Sequence, residues 1–163
     1  MHAVANAMGV SQLRETSYEA VLKNIPALRE KLGDRAVLRA LHFFAENERV
    51  LDEVAALKAG DFETFKKLII ASGNSSFEYL QNVYAACAVE DQGMSLALAL
   101  AQHVLEGKGA WRVHGGGFGG TTQNFVPAAL VPAFRETVES VFGAGSCHIL
   151  HIRPFGGVCV DKI

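Results

Sequence analysis

The densest chemical feature of this sequence is the run His114-Gly115-Gly116-Gly117-Phe118-Gly119-Gly120-Thr121. Five glycines in the six positions 115–120 let the backbone adopt positive φ and let a ligand reach the main chain without side-chain obstruction. Consecutive unobstructed N–H groups form a concavity suited to an anion such as phosphate. Two neighbours could add chemistry. Arg112 brings a cation that either meets a phosphate or lies on a sheet surface, and His114 brings an imidazole that either serves a ligand or is structural. The plainer reading of the run is a wide hairpin loop whose glycines relieve turn strain, but a single glycine pair would suffice for that.

Two familiar phosphate motifs fail here. Gly115, Gly117 and Gly120 formally match GxGxxG. That fingerprint needs a helix directly after the loop and an acidic residue about 20 positions on. Instead the loop runs into Thr121-Thr122-Gln123-Asn124-Phe125-Val126, a β-prone stretch, and no Lys-Ser or Lys-Thr pair follows the glycines. The remaining reactive side chains are scattered. His148 and His151 would point to opposite faces of a strand, so no shared metal is expected. Cys87, Cys147 and Cys159 have no CxxC partner or adjacent base, and no nucleophile is expected among them. His42 and His103 read as packed or exposed helix residues. Glu46, Glu48 and Arg49 read as a solvated face with i,i+3 pairing, or as a contact with another domain. Trp111 reads as core.

The elements that position the loop fall into two groups. Residues 35–57 carry Leu38, Leu41, Phe44, Ala45, Leu51, Val54 and Ala55 at helical steps, with Gly33-Asp34 before and Ala59-Gly60 after. A second helix is expected from Asp61 to a stop at Ser72-Gly73-Asn74, a short third over Phe77 to Tyr84, and a fourth over 95–106. A weaker helical piece, 18–31, is interrupted by Pro26. Beyond Gly107 the character changes. Residues 110–114 and 121–126 predict strands flanking the glycine loop. Pro127 would open a helix that Gly143 ends. Residues 147–152 and 158–160 predict two more strands, joined by Pro154-Phe155-Gly156-Gly157. The fold class is therefore α+β, an antiparallel four-stranded sheet covered by helices on one side.

Composition narrows the setting. The chain has 163 residues, of which 50% are hydrophobic and 20% charged, enough for a folded core and too apolar for disorder. The 15 basic and 17 acidic residues give a net charge of -2, with no field favouring nucleic acid or an anionic membrane. The longest apolar stretch, 94–101, falls far short of the roughly 20 residues that span a bilayer. An odd number of cysteines and no secretory leader pattern lead to the expectation of a reduced, cytoplasmic setting.

Several stretches together resemble the GHMP kinases, and within them the galactokinases. Gly109-Ala110-Trp111-Arg112-Val113-His114 with the glycine loop resembles the third, C-terminal motif of that superfamily. Further likeness lies in Arg39-Ala40-Leu41-His42-Phe43-Phe44-Ala45-Glu46-Asn47-Glu48-Arg49-Val50, in Ala56-Leu57-Lys58-Ala59-Gly60-Asp61-Phe62, and in Ile152-Arg153-Pro154-Phe155-Gly156-Gly157-Val158. Within the motifs, His114 stands where a threonine is usual, and 84–93 lacks the family's Ser-Cys-Pro-Glu-Leu-Asp-like stretch.

The resemblance implies a ferredoxin-like C-terminal domain over 35–163, preceded by a helical segment, 1–34, left from the interdomain region. It implies that Gly115, Gly116, Gly117, Phe118, Gly119 and Gly120 line the substrate and phosphate cleft, with Arg112 and His114 as further candidates. No match exists to the family's arginine-containing signature segment, its serine-rich second motif or its sugar-side aspartate. The expectation is thus the C-terminal part of an enzyme that phosphorylates galactose from ATP with Mg²⁺. This chain alone would hold no catalytic residue, no metal and no tightly bound cofactor. Its expected partners are galactose, ATP and an N-terminal half, and its exposed interdomain face favours a homodimer. The contrasting expectation is a non-catalytic sugar-binding or interaction module of the same descent.

Overall fold

The computed structural model describes residues 1–118, 120–156 and 159. Its backbone is the long helix α4 (Asp34–Ala59), entered through Gly33 and closed by Gly60 in the left-handed region at φ 70. At 1.5 Å per residue it is about 39 Å long, long enough to serve two cores. Its first half, through Val37 and Ala40, packs against α1 (His2–Ala7), α2 (Tyr18–Lys23) and α3 (Ile25–Leu32), where Val4, Val21 and Leu28 are buried. The Ser17 hydroxyl caps α2 by accepting from Ala20 N at 3.1 Å, and Asn24 starts α3 with a proline in its first turn. The sequence does not announce α1, whose Val4 and Ala5 are nevertheless fully buried.

The second half of α4 packs against α5 (Phe62–Ser75), capped by Asp61, whose carboxylate accepts from Thr64 N at 3.0 Å. This helix does not stop at Ser72-Gly73-Asn74. It runs on to Ser75 and tightens into a π-turn over Ser76–Leu80, so the expected separate third helix is a continuation of the second. Tertiary contacts override the breaker composition here, because Ser72 and Ser75 both hydrogen-bond to α4 side chains. Next, α6 (Gly93–Leu105) starts two residues earlier than its apolar run suggests.

Strands β1 (Ala110–Val113) and β2 (Thr122–Phe125) form an antiparallel hairpin with Ala110 opposite Phe125 and Val113 opposite Thr122. The pleat sends alternate residues to opposite faces, and both faces are covered. Ala110 and Phe125 join Ala56, Phe65 and Ile69 of α4 and α5. Trp111 and Val126 join Ala101, Leu105 and Phe134, the last from α7 (Val131–Phe142). A sheet with helices on one side is therefore corrected to a hairpin between two helical layers.

Two further expectations change. The proline in the first turn of α7 is Pro132; Pro127 instead precedes a 3-10 turn over Ala128–Leu130. Residues 147–152 form no ladder, although they are β-prone, and among the described residues the sheet has two strands. A third strand needs a free edge. The outer edge of β1 is occupied by α5, where a Cβ on Gly73 would lie 3.1 Å from Trp111 O. Most of the expected strand 158–160 lies outside the described residues. The chain is α+β, and none of its described helices is long and apolar enough to cross a membrane.

Candidate functional site

The glycine loop closes the hairpin. His114 N donates to Thr121 O at 3.1 Å, extending the ladder by one pair, and the chain then turns through Gly115 and Gly117 at φ 61 and 72. Phe118 follows at φ 53, a left-handed conformation that a bulky side chain rarely adopts. Such strain persists only where surrounding contacts enforce it. Here the enforcing residue is Asn82.

Asn82 is buried, with 2% of its surface exposed. Its carbonyl oxygen accepts from Phe118 N at 2.9 Å and its Nδ2 donates to Gly116 O at 3.1 Å. The backbone passes so close that a Cβ on Gly117 would overlap the Asn82 carbonyl and lie 2.6 Å from Nδ2. Asn82 is itself fixed from behind. The π-turn ends at Gln81 in the left-handed region, Arg39 Nε donates to Leu80 O at 3.1 Å, and Arg35 reaches Gln81 O at 3.5 Å. A chain of contacts thus runs from the first turns of α4, through the end of the π-turn, to the loop.

The loop is consequently a preset ring rather than a slack connection. Gly117 N turns back to His114 O at 3.4 Å and Phe118 N is held by Asn82, so neither is free for a ligand. Among the described residues, the N–H groups of Gly115, Gly116 and Gly120 have no partner. They are the donors an anion could use. The side chains of His114 and Phe118 lie at the exposed surface. Gly119 lies outside the described residues.

Arg112 occupies a different setting. It shares its face of β1 with Ala110, toward α4 and α5, and is half-buried. Its Nε donates to Val113 O at 3.1 Å. Burial pushes its pKa down, while the carboxylate of Glu53 favours its charge. Nearby, His42 Nδ1 hydrogen-bonds Ser75 Oγ at 2.9 Å, and Ser72 Oγ donates to Glu46 Oε2 at 2.5 Å. Glu46 also pairs with Arg49. With side chains only 21% and 16% exposed, Glu46 and Arg49 are packed against α5 rather than lying on a solvated face. Burial, then the charges of Arg49 and Arg112, push the His42 pKa below its usual value.

Sequence reading finds the loop but not Asn82, Ser72 or Ser75. Asn82 meets Gly116 across 34 positions, and nothing local in the sequence marks it. His148 and His151 are exposed, and the described residues contain no group of three His, Cys, Asp or Glu placed to hold a metal ion.

No family model matches the chain. Curated relatives do. A galactokinase of Homo sapiens is 31% identical over 141 residues, which is 86% of this chain and 33% of the relative. A galactokinase of Glaesserella parasuis serovar 5 is 34% identical over 134 residues, covering 82% and 33%. A galactokinase of Streptomyces coelicolor is 33% identical over 142 residues, covering 86% and 33%. The resemblance read from the motifs is thereby shown across most of the chain: it is similar to galactokinases from animals and bacteria. The chain spans about a third of the length of these relatives, a coverage that fits a C-terminal portion of such an enzyme.

Proposed function

We propose that this chain is the C-terminal part of a galactokinase, an enzyme that moves the γ-phosphoryl group of ATP to the anomeric hydroxyl of galactose. In that reaction the bond from the γ-phosphorus to the β,γ-bridging oxygen breaks, a new P–O bond forms to the sugar O1, and ADP leaves. The sugar hydroxyl proton passes to a base in the remaining two thirds of the enzyme. Phosphoryl transfer depends mainly on positioning and charge stabilisation. The glycine loop's part is to offer the N–H groups of Gly115, Gly116 and Gly120 to the phosphates, preset so that little reorganisation is needed. Gly117 and Phe118 shape that ring, Gly119 is assigned to the cleft by the resemblance alone, His114 borders the ring, and Arg112 supports the strand that carries it.

The observation that carries this reading is the Asn82-clamped loop within a chain similar to galactokinases over more than four-fifths of its length. In this reading the Mg²⁺ that accompanies ATP is held with the remaining two thirds of the enzyme, and the chain alone does not turn over. In the complete enzyme residues 147–152 and 158–160 pair into the four-stranded ferredoxin-like sheet of the GHMP kinases. Residues 1–34 form the helical link to the rest, residues 35–163 the C-terminal domain, and the setting is cytoplasmic.

The test is ADP release with Mg²⁺-ATP, with and without galactose, by the chain alone and after addition of a separately made N-terminal galactokinase part. Galactose-dependent turnover only in the mixture supports the proposal. Turnover by the chain alone overturns the half-enzyme account. Galactose binding that never leads to turnover, with any N-terminal part, favours a sugar-binding module of the same descent.

A further inference from the structure

One peptide group decides what the glycine loop shows to a ligand. The group joining Gly116 to Gly117 has its oxygen on the buried side, where it accepts from Asn82 Nδ2 at 3.1 Å. Its N–H, on Gly117, reaches only His114 O, at 3.4 Å, longer than the usual range for such a bond. With glycine on both sides the peptide plane meets little steric resistance to turning over, so the Asn82 amide is its main hold. Turned over, the Gly116 oxygen would leave the buried side for the open space beside Gly116. A carbonyl dipole there opposes an anion that the neighbouring N–H groups would attract.

Stability does not account for the amide. Asn82 is 2% exposed, and its Oδ1, also buried, has no hydrogen-bond partner among the described residues. A buried acceptor without a partner is a net cost that an aliphatic side chain would avoid. What an aliphatic side chain could not do is donate to Gly116 O. The backbone of Asn82 anchors the loop in any case, because its carbonyl accepts from Phe118 N whatever the side chain is. The separate contribution of the side chain is the direction of one carbonyl.

We propose that Asn82 is the positioning residue that makes the loop selective for anions. By holding the Gly116 carbonyl inward, its amide keeps that oxygen away from the N–H groups of Gly115, Gly116 and Gly120. This rests on the reading of the loop as a phosphate site and adds the residue that sets the sign of its ligand.

Sulfate is the probe, since its charge does not change over the pH range used. It is titrated into the whole isotope-labelled chain at constant ionic strength, with the amide shifts of Gly115, Gly116 and Gly120 as the readout. A saturable response is expected in the unaltered chain with a Kd of about 10 mM. Asn82→Asp, whose ionised carboxylate cannot donate, should bind at least about tenfold more weakly at about pH 7.5. At about pH 5 it should return to within about threefold of the unaltered chain, because the buried carboxyl is then protonated and donates again. Asn82→Leu should bind weakly at both. Arg35, Arg39 and His114 are the charged or titratable groups nearest Asn82 along these contacts, and the unaltered chain at the same two pH values corrects for them.

If the unaltered chain responds, unchanged affinity in both variants, or a loss in Asn82→Asp that persists at the lower pH, overturns this proposal and leaves the phosphate-site reading standing. No response of the unaltered chain by about 200 mM sulfate overturns that reading and the proposal with it. Should circular dichroism show both variants unfolded, hydrogen exchange of the Asn82 side-chain amide in the unaltered chain decides. Saturating sulfate should slow it by about threefold or more, since a ligand selective for the held loop makes its opening rarer. An unchanged rate overturns the proposal.

Discussion

The side-chain amide of Asn82 donates to the carbonyl oxygen of Gly116 at 3.1 Å, joining the end of the α5 π-turn to the middle of the glycine loop. The Asn82 carbonyl holds Phe118 N at 2.9 Å. One buried residue therefore grips the loop on both sides of Gly117. This makes the glycines unequal. Gly117 has φ 72 and no room for a Cβ, whereas Gly116 has open space beside it. Gly117→Ala is expected to lower stability by about 2–4 kcal/mol, and Gly116→Ala by no more than about 0.5 kcal/mol. Chemical denaturation of the two variants checks this; equal losses would mean that Asn82 does not constrain the loop.

The His42–Ser75 contact predicts a pH dependence. Burial, with Arg49 and Arg112 nearby, holds the folded-state pKa of His42 below its ordinary 6.5. Below that pH the unfolded chain takes up a proton more readily than the folded one, so stability rises with pH in this range. The stabilisation is complete above about pH 6.5 and is lost as pH falls toward the lowered folded value. The shifted carboxylates, Glu15, Glu19 and Asp61, titrate lower, from ordinary values of 4.5, 4.5 and 3.8. Thermal melts at about pH 7.5 and 5.5 should therefore show a fall in Tm that shrinks in His42→Gln. An undiminished fall in the variant would assign the effect to another group.

Gly73 is a second position where a glycine is required, for closeness rather than for conformation. Its missing Cβ would lie 3.1 Å from Arg112 Cα, Arg112 Cβ and Trp111 O, two of which are backbone atoms that cannot swing aside. Gly73→Ala should push β1 away from α5, lower stability by about 1–3 kcal/mol and shift the Trp111 emission. Gly93→Ala, whose Cβ meets only the Phe142 ring at 3.9 Å, is the control and should do neither. An unchanged emission in Gly73→Ala would show that the helix and strand are less tightly apposed.

The parts of this fold legible in the sequence are those written locally. Helix α4 is expected over 35–57 and observed at Asp34–Ala59, because its apolar period and both flanking glycines lie within one stretch. The glycine loop and its two strands are legible for the same reason. The end of α5 is not. Ser72 and Gly73 look like a stop, yet Ser72 is buried against Glu46 and Gly73 makes room for β1, partners 26 or more positions away. Asn82 is hidden likewise, since only the folded chain brings it to Gly116. For residues 147–152 the pattern is legible and the pairing absent: β-prone residues describe what a strand would look like, not whether an edge awaits it.

That unpaired segment leads to the last prediction. Ile149, Leu150, Ile152 and Phe155 are 54%, 85%, 91% and 58% exposed, one after another along the chain. Contiguous exposed apolar residues tend to acquire a partner, and a β-prone stretch without a ladder also carries unpaired backbone groups. Self-association through this segment is therefore expected, with a dimer in sedimentation equilibrium at about 100 μM, a concentration at which even a weak, micromolar interface is populated. Leu150→Asp combined with Ile152→Asp should return the chain to a monomer without changing its melting curve, because neither side chain contributes to a core. A monomeric unaltered chain at that concentration would sink the expectation. A dimer that survives the double substitution would move the interface elsewhere, most directly to the exposed side of α4 where Val50, Leu51, Val54 and Leu57 are 44–65% exposed.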